Sequence, residues 1–209
     1  MYSKFENLPQ DKQSRIIDAC IEEFSQNGYI NSSTNSIIKK AEISKGILFH
    51  YFGNKKKLYL YILNYCVNLL TDILYDRMGD LPSDFFERVV KSGMLKLKTL
   101  YEYPAVYKLI IDVFTNTPEE LKSEVQDMYT KLYRDNVPIL FKDIDTSKFR
   151  DDIDKNKTIE LIMFTIDGLS NKYMNSIKNM PSDKLMSDFE SFIQKYYEYI
   201  DILKKMVYK

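Results

Sequence analysis

The chain has 209 residues with 30 basic and 30 acidic side chains, so its net charge is zero and its length suits one large helical domain or two unequal ones. Its two cysteines, Cys20 and Cys66, have no second cysteine or histidine nearby, which predicts reduced core thiols, no metal site and no cofactor. The first ten residues lack the apolar stretch of a signal peptide and no apolar run is expected to span a bilayer, so we expect a cytoplasmic protein without a membrane partner.

Helices are predicted along almost the whole chain, because apolar residues recur every three or four positions and only six glycines and six prolines interrupt them. We expect an all-α fold with helices near 9–27, 34–41, 44–50, 54–77, 82–102, 104–115, 118–141, 153–178 and 182–207. Prolines mark several of the helix starts. The polar stretch near residues 143–156 is expected to be a loop.

The stretch from Ser33 to Leu58 predicts two short helices joined by a tight turn. Thr34 is expected to cap the first helix and Ser44 the second. On the second helix Leu48 and Phe52 are expected to face inward. The side chains left outside are unusually apolar and aromatic for a solvated face, namely Lys45, Ile47, Phe49 and His50. This pattern indicates a helix-turn-helix DNA reader.

The same stretch, with residues before it, resembles the DNA-binding domain of the TetR family of bacterial transcriptional regulators. The matching residues are Ile16-Ile17-Asp18-Ala19-Cys20, Phe24, Gly28-Tyr29, Ser33-Thr34, Ser44-Lys45-Gly46, Leu48-Phe49-His50-Tyr51-Phe52 and Asn54-Lys55. The resemblance covers about residues 9–60. It implies a three-helix helix-turn-helix DNA-binding domain over 1–53, a larger helical ligand-binding and dimerisation domain over 54–209, and about nine helices.

Two residues depart from the family pattern. Glu42 lies in the turn where the family usually has glycine, at a position that often needs a positive φ. Ile38 replaces the usual alanine and adds bulk between helices of the reader. Neither change removes a DNA contact, but both bear on the angle between the two helices.

Basic side chains are concentrated in this segment, since residues 33–57 hold six lysines against the single acid Glu42. A charge cluster is by default a solvated face, but beside a helix-turn-helix motif phosphate binding is the better interpretation. We expect Thr34, Ser44, Tyr51 and Lys55 to contact phosphates of double-stranded DNA, and Lys45 to contact phosphate or guanine. Gly46 would allow close approach, and the base-contacting candidates are Ile47, Phe49 and His50.

The middle of the chain is predicted to hold a ligand cavity. The helix near 54–77 is apolar nearly all round and is placed either to transmit a change to the reader or simply to form a core. Tyrosines on the following helices need partners for their hydroxyls, which favours a cavity for a mostly apolar small molecule, although an ordinary core is the alternative. The candidate ligand-binding residues are Tyr101, Tyr107, Phe114, Tyr129, Tyr133, Phe164 and Gly168.

Long apolar stripes on the last two predicted helices favour a homodimer. Packing within the chain must take part of each stripe, and with the family resemblance the remainder indicates a four-helix interface. The candidate interface residues are Ile166, Tyr173, Phe189, Tyr196 and Ile200.

We therefore predict a ligand-responsive transcriptional regulator, a repressor released from a palindromic operator by its effector. An enzyme is not expected, because the only histidine, His50, lies in the reader, and the neighbouring carboxylates Glu22 and Glu23 diverge on a helix. The alternative is a helical interaction scaffold that does not bind DNA, which leaves the exposed side chains of the reader unexplained.

Overall fold

The computed structural model describes residues 2–79, 81–177 and 182–209, without the side chains of Val137, Met174, residues 182–187 and Phe189. This part of the chain contains ten α-helices and a short 3-10 helix, and no strand longer than an isolated bridge, which confirms the all-α prediction. The helices are α1 (Ser3–Glu6), α2 (Gln10–Asn31), α3 (Thr34–Ala41), α4 (Lys45–Phe52), α5 (Lys55–Met78), α6 (Phe85–Glu102), α7 (Pro104–Thr115), the 3-10 helix (Glu119–Leu121), α8 (Lys122–Phe141), α9 (Lys155–Ile177) and α10 (Ser182–Val207).

The helices differ from the prediction before α2, at its carboxyl end, and at the starts of α6 and α8, which begin at Phe85 and Lys122. Helix α1 was not predicted. At the carboxyl end of α2 Gly28 has φ 64° and ψ −174°, which breaks helical geometry one residue after the predicted end at 27, although the helix is assigned through Asn31. A Cβ at Gly28 would also lie 3.3 Å from Asp112 Oδ2 of α7. Both the backbone conformation and the close approach therefore favour glycine here.

The chain forms two compact units, and the first consists of Met1–Gly79 and Met94–Leu140. Within it α2 packs against α3, α5 and α7, and α4 packs against α3 and α5. Its core is continuous from the reader to α7 and includes the fully buried Ile16, Ile37 and Ile62. Burial raises the pKa of the Cys66 thiol to about 12 and that of Cys20 higher still, so both thiols are protonated core residues, as predicted.

The second unit consists of Asp80–Gly93 and Phe141–Lys209. In it α9 packs against α10, and Phe85, Phe86, Phe149 and Tyr208 form a cluster with ring centroids 5.1–5.7 Å apart. The boundary between the units falls inside α6. The predicted division into a DNA-binding domain at 1–53 and a ligand-binding and dimerisation domain at 54–209 concerns function, and it stays a prediction.

Helix α5 is long enough and apolar enough to cross a membrane, with a mean hydropathy of 1.2 over its most apolar window, contrary to the prediction that no such run exists. It begins with three consecutive lysines, and Leu58, Ile62 and Leu63 are buried inside the first unit. These contacts are those of a core helix.

Candidate nucleic-acid interface

Serine side chains cap the two helices of the helix-turn-helix. Ser44 Oγ accepts a hydrogen bond from the Ile47 amide at 3.3 Å, as predicted. At α3, however, the cap is Ser33, whose Oγ accepts from the Ser36 amide at 3.4 Å, and Thr34 is the first helical residue. The correction has a local cause, since Ser33 has the extended backbone of a capping residue and its own amide donates to Glu23 Oε1 at 2.8 Å.

The turn between α3 and α4 places Glu42 in the left-handed conformation, with φ 54° and ψ 44°. Glu42 thus adopts the positive φ that this position often needs, and it tolerates the strain. This conformation costs a residue with a Cβ about 1–2 kcal/mol. The Glu42 carboxylate lies 3.2 Å from Arg15 Nη1, but both side chains are largely exposed and the pair offsets only part of that cost.

Helix α4 divides into a buried and an exposed side. Leu48 and Phe52 are buried, as predicted, and fix the helix against the core. The residues on the other side are exposed or half-buried, namely Ser44, Lys45, Gly46, Ile47, Phe49, His50 and Tyr51. A Cβ at Gly46 would meet nothing closer than 3.9 Å, so this side of the helix is open to a partner. The structure thus brings the candidate reading residues together on one surface.

The ammonium group of Lys55 lies at the end of α2. It donates to the carbonyl oxygens of Ser32 at 2.7 Å and Ile30 at 3.1 Å, and it lies 5.2 Å from the centre of the Tyr29 ring. A cation at the carboxyl end of a helix is stabilising. Sequence reasoning missed this structural role, because nothing local connects Lys55 with residues 25 positions earlier.

Residues 2–6 are a second feature that sequence reasoning missed. Tyr2 and Phe5 contact Phe52, the last residue of α4. The available signal was the spacing of these two aromatic residues, which places them on one face of a short helix.

The first unit contains a cavity of about 270 Å³ between α5, α7 and α8, with Lys96 of α6 at its wall. Its lining is Val67, Leu70, Thr71, Leu74, Tyr75, Met78, Lys96, Tyr107, Ile110, Tyr129, Leu132, Tyr133, Asn136 and Leu140. Several of its polar groups already have partners in the chain: Tyr107 donates to the Lys96 carbonyl at 3.1 Å, and Tyr75 donates to Asn136 Oδ1 at 2.5 Å. Burial also raises the pKa of Tyr107 to about 12. The cavity wall is therefore mainly apolar, and Lys96 is the one charged residue among the described residues that line it.

The predicted ligand-binding residues separate into three groups. Tyr107, Tyr129 and Tyr133 line the cavity. Phe114 and Tyr101 do not line it. The ring of Phe114 packs against the ring of Tyr129, with 5.4 Å between their centroids. The prediction that Phe164 and Gly168 line this cavity is corrected, because both are exposed on α9 in the second unit.

The predicted dimer residues also need correction. Ile166, Tyr173, Tyr196 and Ile200 are buried within the second unit, and Tyr173 stacks on Phe192 at 3.9 Å. Side chains already buried in one subunit are unavailable to a partner. The side chain of Phe189 lies outside the described residues. The exposed apolar side chains of the same two helices are Leu161 and Phe164 on α9 and Tyr197, Tyr199, Ile202 and Met206 on α10.

The capped α3–α4 pair and its exposed recognition surface define a helix-turn-helix protein. The family model of bacterial regulatory proteins of the tetR family matches residues 16–62. The chain is 25% identical over 205 residues to IcaR, the negative transcriptional regulator of the biofilm operon icaADBC in Staphylococcus epidermidis, covering 88% of this chain and 100% of IcaR. It is 39% identical over 95 residues to the helix-turn-helix regulator YuxN of Bacillus subtilis, covering 44% of this chain and 30% of YuxN.

The fold is also shared with solved structures. A TetR family regulator from Chloroflexus aurantiacus superimposes with a TM-score of 0.66 and 22% identity, over 99% of this chain and 98% of the other. Residues 16–62 therefore form a DNA-binding domain of the tetR family type. The chain is a DNA-binding transcriptional regulator.

Proposed function

We propose that the chain is a homodimeric repressor whose operator is released when a mostly apolar small molecule enters the cavity of the first unit. The observation that carries this proposal is the position of α5. Its first turn adjoins α4 and the end of α2, and its later turns, through Val67, Leu70 and Leu74, form a wall of the cavity. One rigid helix therefore touches both the reader and the effector site.

Helix α4 would enter the major groove. Ile47, Phe49 and His50 are exposed or half-buried along it and would meet base edges and thymine methyl groups. Gly46 lets the backbone approach the DNA closely. Lys45, which is exposed at the first turn, would reach a phosphate or guanine.

Phosphates would bind around the amino ends of α3 and α4, where backbone amides and hydroxyl groups converge. Thr34 and Ser44 supply hydroxyls there, and Tyr51 supplies a third from the far end of α4. Lys55 has three N–H donors, of which two are used by the chain, so one is left for a phosphate.

The effector would be a small molecule with an apolar body, because the cavity wall is mainly aliphatic and aromatic. Occupying the cavity would shift α5 and thereby the angle of the reader. A coupling of about 1–3 kcal/mol between the two sites is typical and is sufficient to release an operator.

Dimers would form through the exposed apolar face of α9 and α10. Leu161, Phe164 and Gly168 follow one another at helical spacing on α9, and Ile202 and Met206 do so on α10. Nothing lies within 4 Å of a Cβ placed at Gly168, so a partner helix could approach closely there. Two readers held in this way would meet half-sites about one turn of DNA apart.

The regulator would act in the cytoplasm and would have no catalytic activity, since the relatives are transcriptional regulators and His50 is the only histidine.

The DNA-binding part of the proposal is tested by selecting preferred duplexes from a random pool and titrating binding against salt. We expect wild-type binding to weaken steeply with salt. His50→Ala and Ile47→Ala should change which sequences are preferred, whereas Lys131→Ala, an exposed lysine on α8, should change nothing. A protein that binds no duplex at any salt concentration would instead be the interaction scaffold.

The effector part is tested by filling the cavity. Leu74→Trp enlarges a lining side chain and should reduce binding of an apolar fluorescent dye such as anilinonaphthalene sulfonate. Ile139→Trp adds the same ring on α8 outside the lining and is the matched control. Equal dye binding by the two variants would contradict an effector site in this cavity.

A further inference from the structure

The amino-terminal segment, residues 2–6, is attached firmly to the end of α4. Phe5 is completely buried, and its ring lies 4.8 Å from Phe52, 5.5 Å from Tyr61 and 5.9 Å from Tyr51. Tyr2 adds a contact of 4.6 Å with Tyr61. The segment therefore fills the space between the last turn of α4 and the first turns of α5, where aromatic edges and faces pair favourably.

Hydrogen bonds hold the end of the same segment. Gln13 Nε2 of α2 donates to the carbonyl oxygens of Glu6 at 3.0 Å and Leu8 at 2.8 Å. The carbonyl of Tyr2 accepts from the amides of Phe5 and Glu6 at 2.9 and 3.0 Å. Because Gln13 holds the carboxyl end of the segment, the Tyr2 ring packs on Tyr61 and Phe5 is buried, the exposed side chains of the segment have defined positions relative to α4.

One of these exposed side chains is Lys4, which lies beside the recognition helix. Its Nζ is 3.4 Å from Nε2 of His50, and both side chains are exposed. An ammonium group can only donate, so in this contact Lys4 is the donor and Nε2 of His50 the acceptor. A contact of this length between two exposed side chains adds little to stability. The same ammonium lies next to the surface that would face DNA, whose phosphates are its natural acceptors.

We propose that residues 2–6 are part of the DNA-reading surface, with Phe5 as the anchor and Lys4 as an additional phosphate contact at the carboxyl end of α4. The proposal rests on the DNA-binding mode proposed above. In the complex Lys4 would neutralise one phosphate per subunit.

The role of Lys4 is tested in the full-length protein with Lys4→Ala, Lys4→Glu and the control Lys131→Ala. Binding is measured by fluorescence anisotropy at several salt concentrations, on a duplex selected by the wild type and on an unrelated duplex. We expect Lys4→Ala to weaken both by a similar factor and to flatten the plot of log affinity against log salt by about one unit per subunit. Lys4→Glu should weaken binding further, and Lys131→Ala should match the wild type.

The outcomes separate the two proposals. If the wild type binds with a clear salt dependence and Lys4→Ala has the same affinity and slope, the role of Lys4 is wrong and the DNA-binding function stands. If the wild type binds no duplex, the proposed function itself fails. A loss confined to the selected duplex would mean that Lys4 contacts a base, which overturns the phosphate assignment.

The role of Phe5 as an anchor is tested with Phe5→Ala and Phe5→Leu. Phe5→Ala should flatten the salt dependence as Lys4→Ala does, because Lys4 is no longer held beside His50. Phe5→Leu keeps most of the buried volume and should retain wild-type binding. Circular dichroism shows whether each variant is folded; if Phe5→Ala is not, the double variant Phe5→Leu with Lys4→Ala must show the slope of Lys4→Ala alone. A folded Phe5→Ala with the wild-type slope would overturn the anchoring role.

Discussion

The reader, residues 33–57, and the last two helices, α9 and α10, present their functional side chains in different ways. In the reader, capping serines and the turn at Glu42 fix short helices locally, so the inward positions of Leu48 and Phe52 also determine which residues face out. In α9 and α10, apolar residues occur on both sides of each helix. There, burial within the unit decides which side is left for a partner. A local motif therefore predicts which side chains face a partner, whereas an apolar stripe predicts a helix but not which of its sides is exposed.

The largest expected effect comes from two neighbouring positions on α9. Ile166 is 7% exposed and Phe164 is 63% exposed. Ile166→Glu should lower the free energy of unfolding by about 3 kcal/mol or more, because it buries an unpaired charge. Phe164→Glu should leave the urea midpoint of monomers nearly unchanged and shift the dimer to monomers in sedimentation. If Phe164→Glu remains dimeric at micromolar concentration, the proposed interface is misplaced.

A smaller effect is expected at Asp84, in the second unit. Burial alone raises the pKa of the Asp84 carboxyl, but hydrogen bonds from Lys148 Nζ at 2.8 Å and the Glu87 amide at 3.1 Å hold it below its ordinary value. The unfolded chain then binds the proton more readily, so this contribution to stability is present above the ordinary carboxyl pKa and is lost as the pH falls through the folded value.

We expect Asp84→Asn to lower the free energy of unfolding by about 2 kcal/mol at pH 7, where the charged hydrogen bonds are complete. The difference should begin to shrink as the pH falls below ~4, and the variant and the wild type should converge once the pH is below the folded pKa of Asp84. Urea unfolding followed from pH 7 into the acid range checks this, and a constant difference between the two proteins would contradict it.

In the reader, the two lysines Lys55 and Lys45 should behave differently. Lys55→Ala should lower the free energy of unfolding by about 1–2 kcal/mol, because its ammonium loses the Ser32 and Ile30 carbonyls. Lys45→Ala should change stability by less than about 0.5 kcal/mol and weaken DNA binding. Thermal unfolding and salt-titrated binding of both variants separate the roles. Equal stability of the two would show that the Lys55 contacts do not persist in solution.

The smallest effect is expected at the turn. Glu42→Gly should be more stable than Glu42→Ala by about 1 kcal/mol, since only glycine adopts a φ of 54° without strain. Both variants lose the ion pair with Arg15. The difference between their free energies of unfolding therefore reports the backbone strain alone. Urea midpoints provide the measurement, and identical values would indicate that the turn relaxes when Glu42 is replaced.

The cavity shows which of its lining residues the residue types alone could predict. Tyrosines in the middle of the chain favour a ligand cavity, and Tyr107, Tyr129 and Tyr133 line a mainly apolar cavity. The aliphatic part of the wall, on α5, was not separable from an ordinary core in the sequence, because α5 is apolar nearly all round. Phe164 and Gly168 were placed there by type and lie instead on the exposed side of α9.

The sequence by itself determined the all-α class, the position of the reader and the cap at Ser44, since each depends on residues within a few positions of one another. Only the tertiary structure decided which sides of α9 and α10 are buried, that Lys55 binds the end of α2, and that Phe5 packs against Phe52. The contacts of Lys55 and Phe5 join residues 23 to 47 positions apart. No local periodicity encodes which of two apolar faces finds a partner.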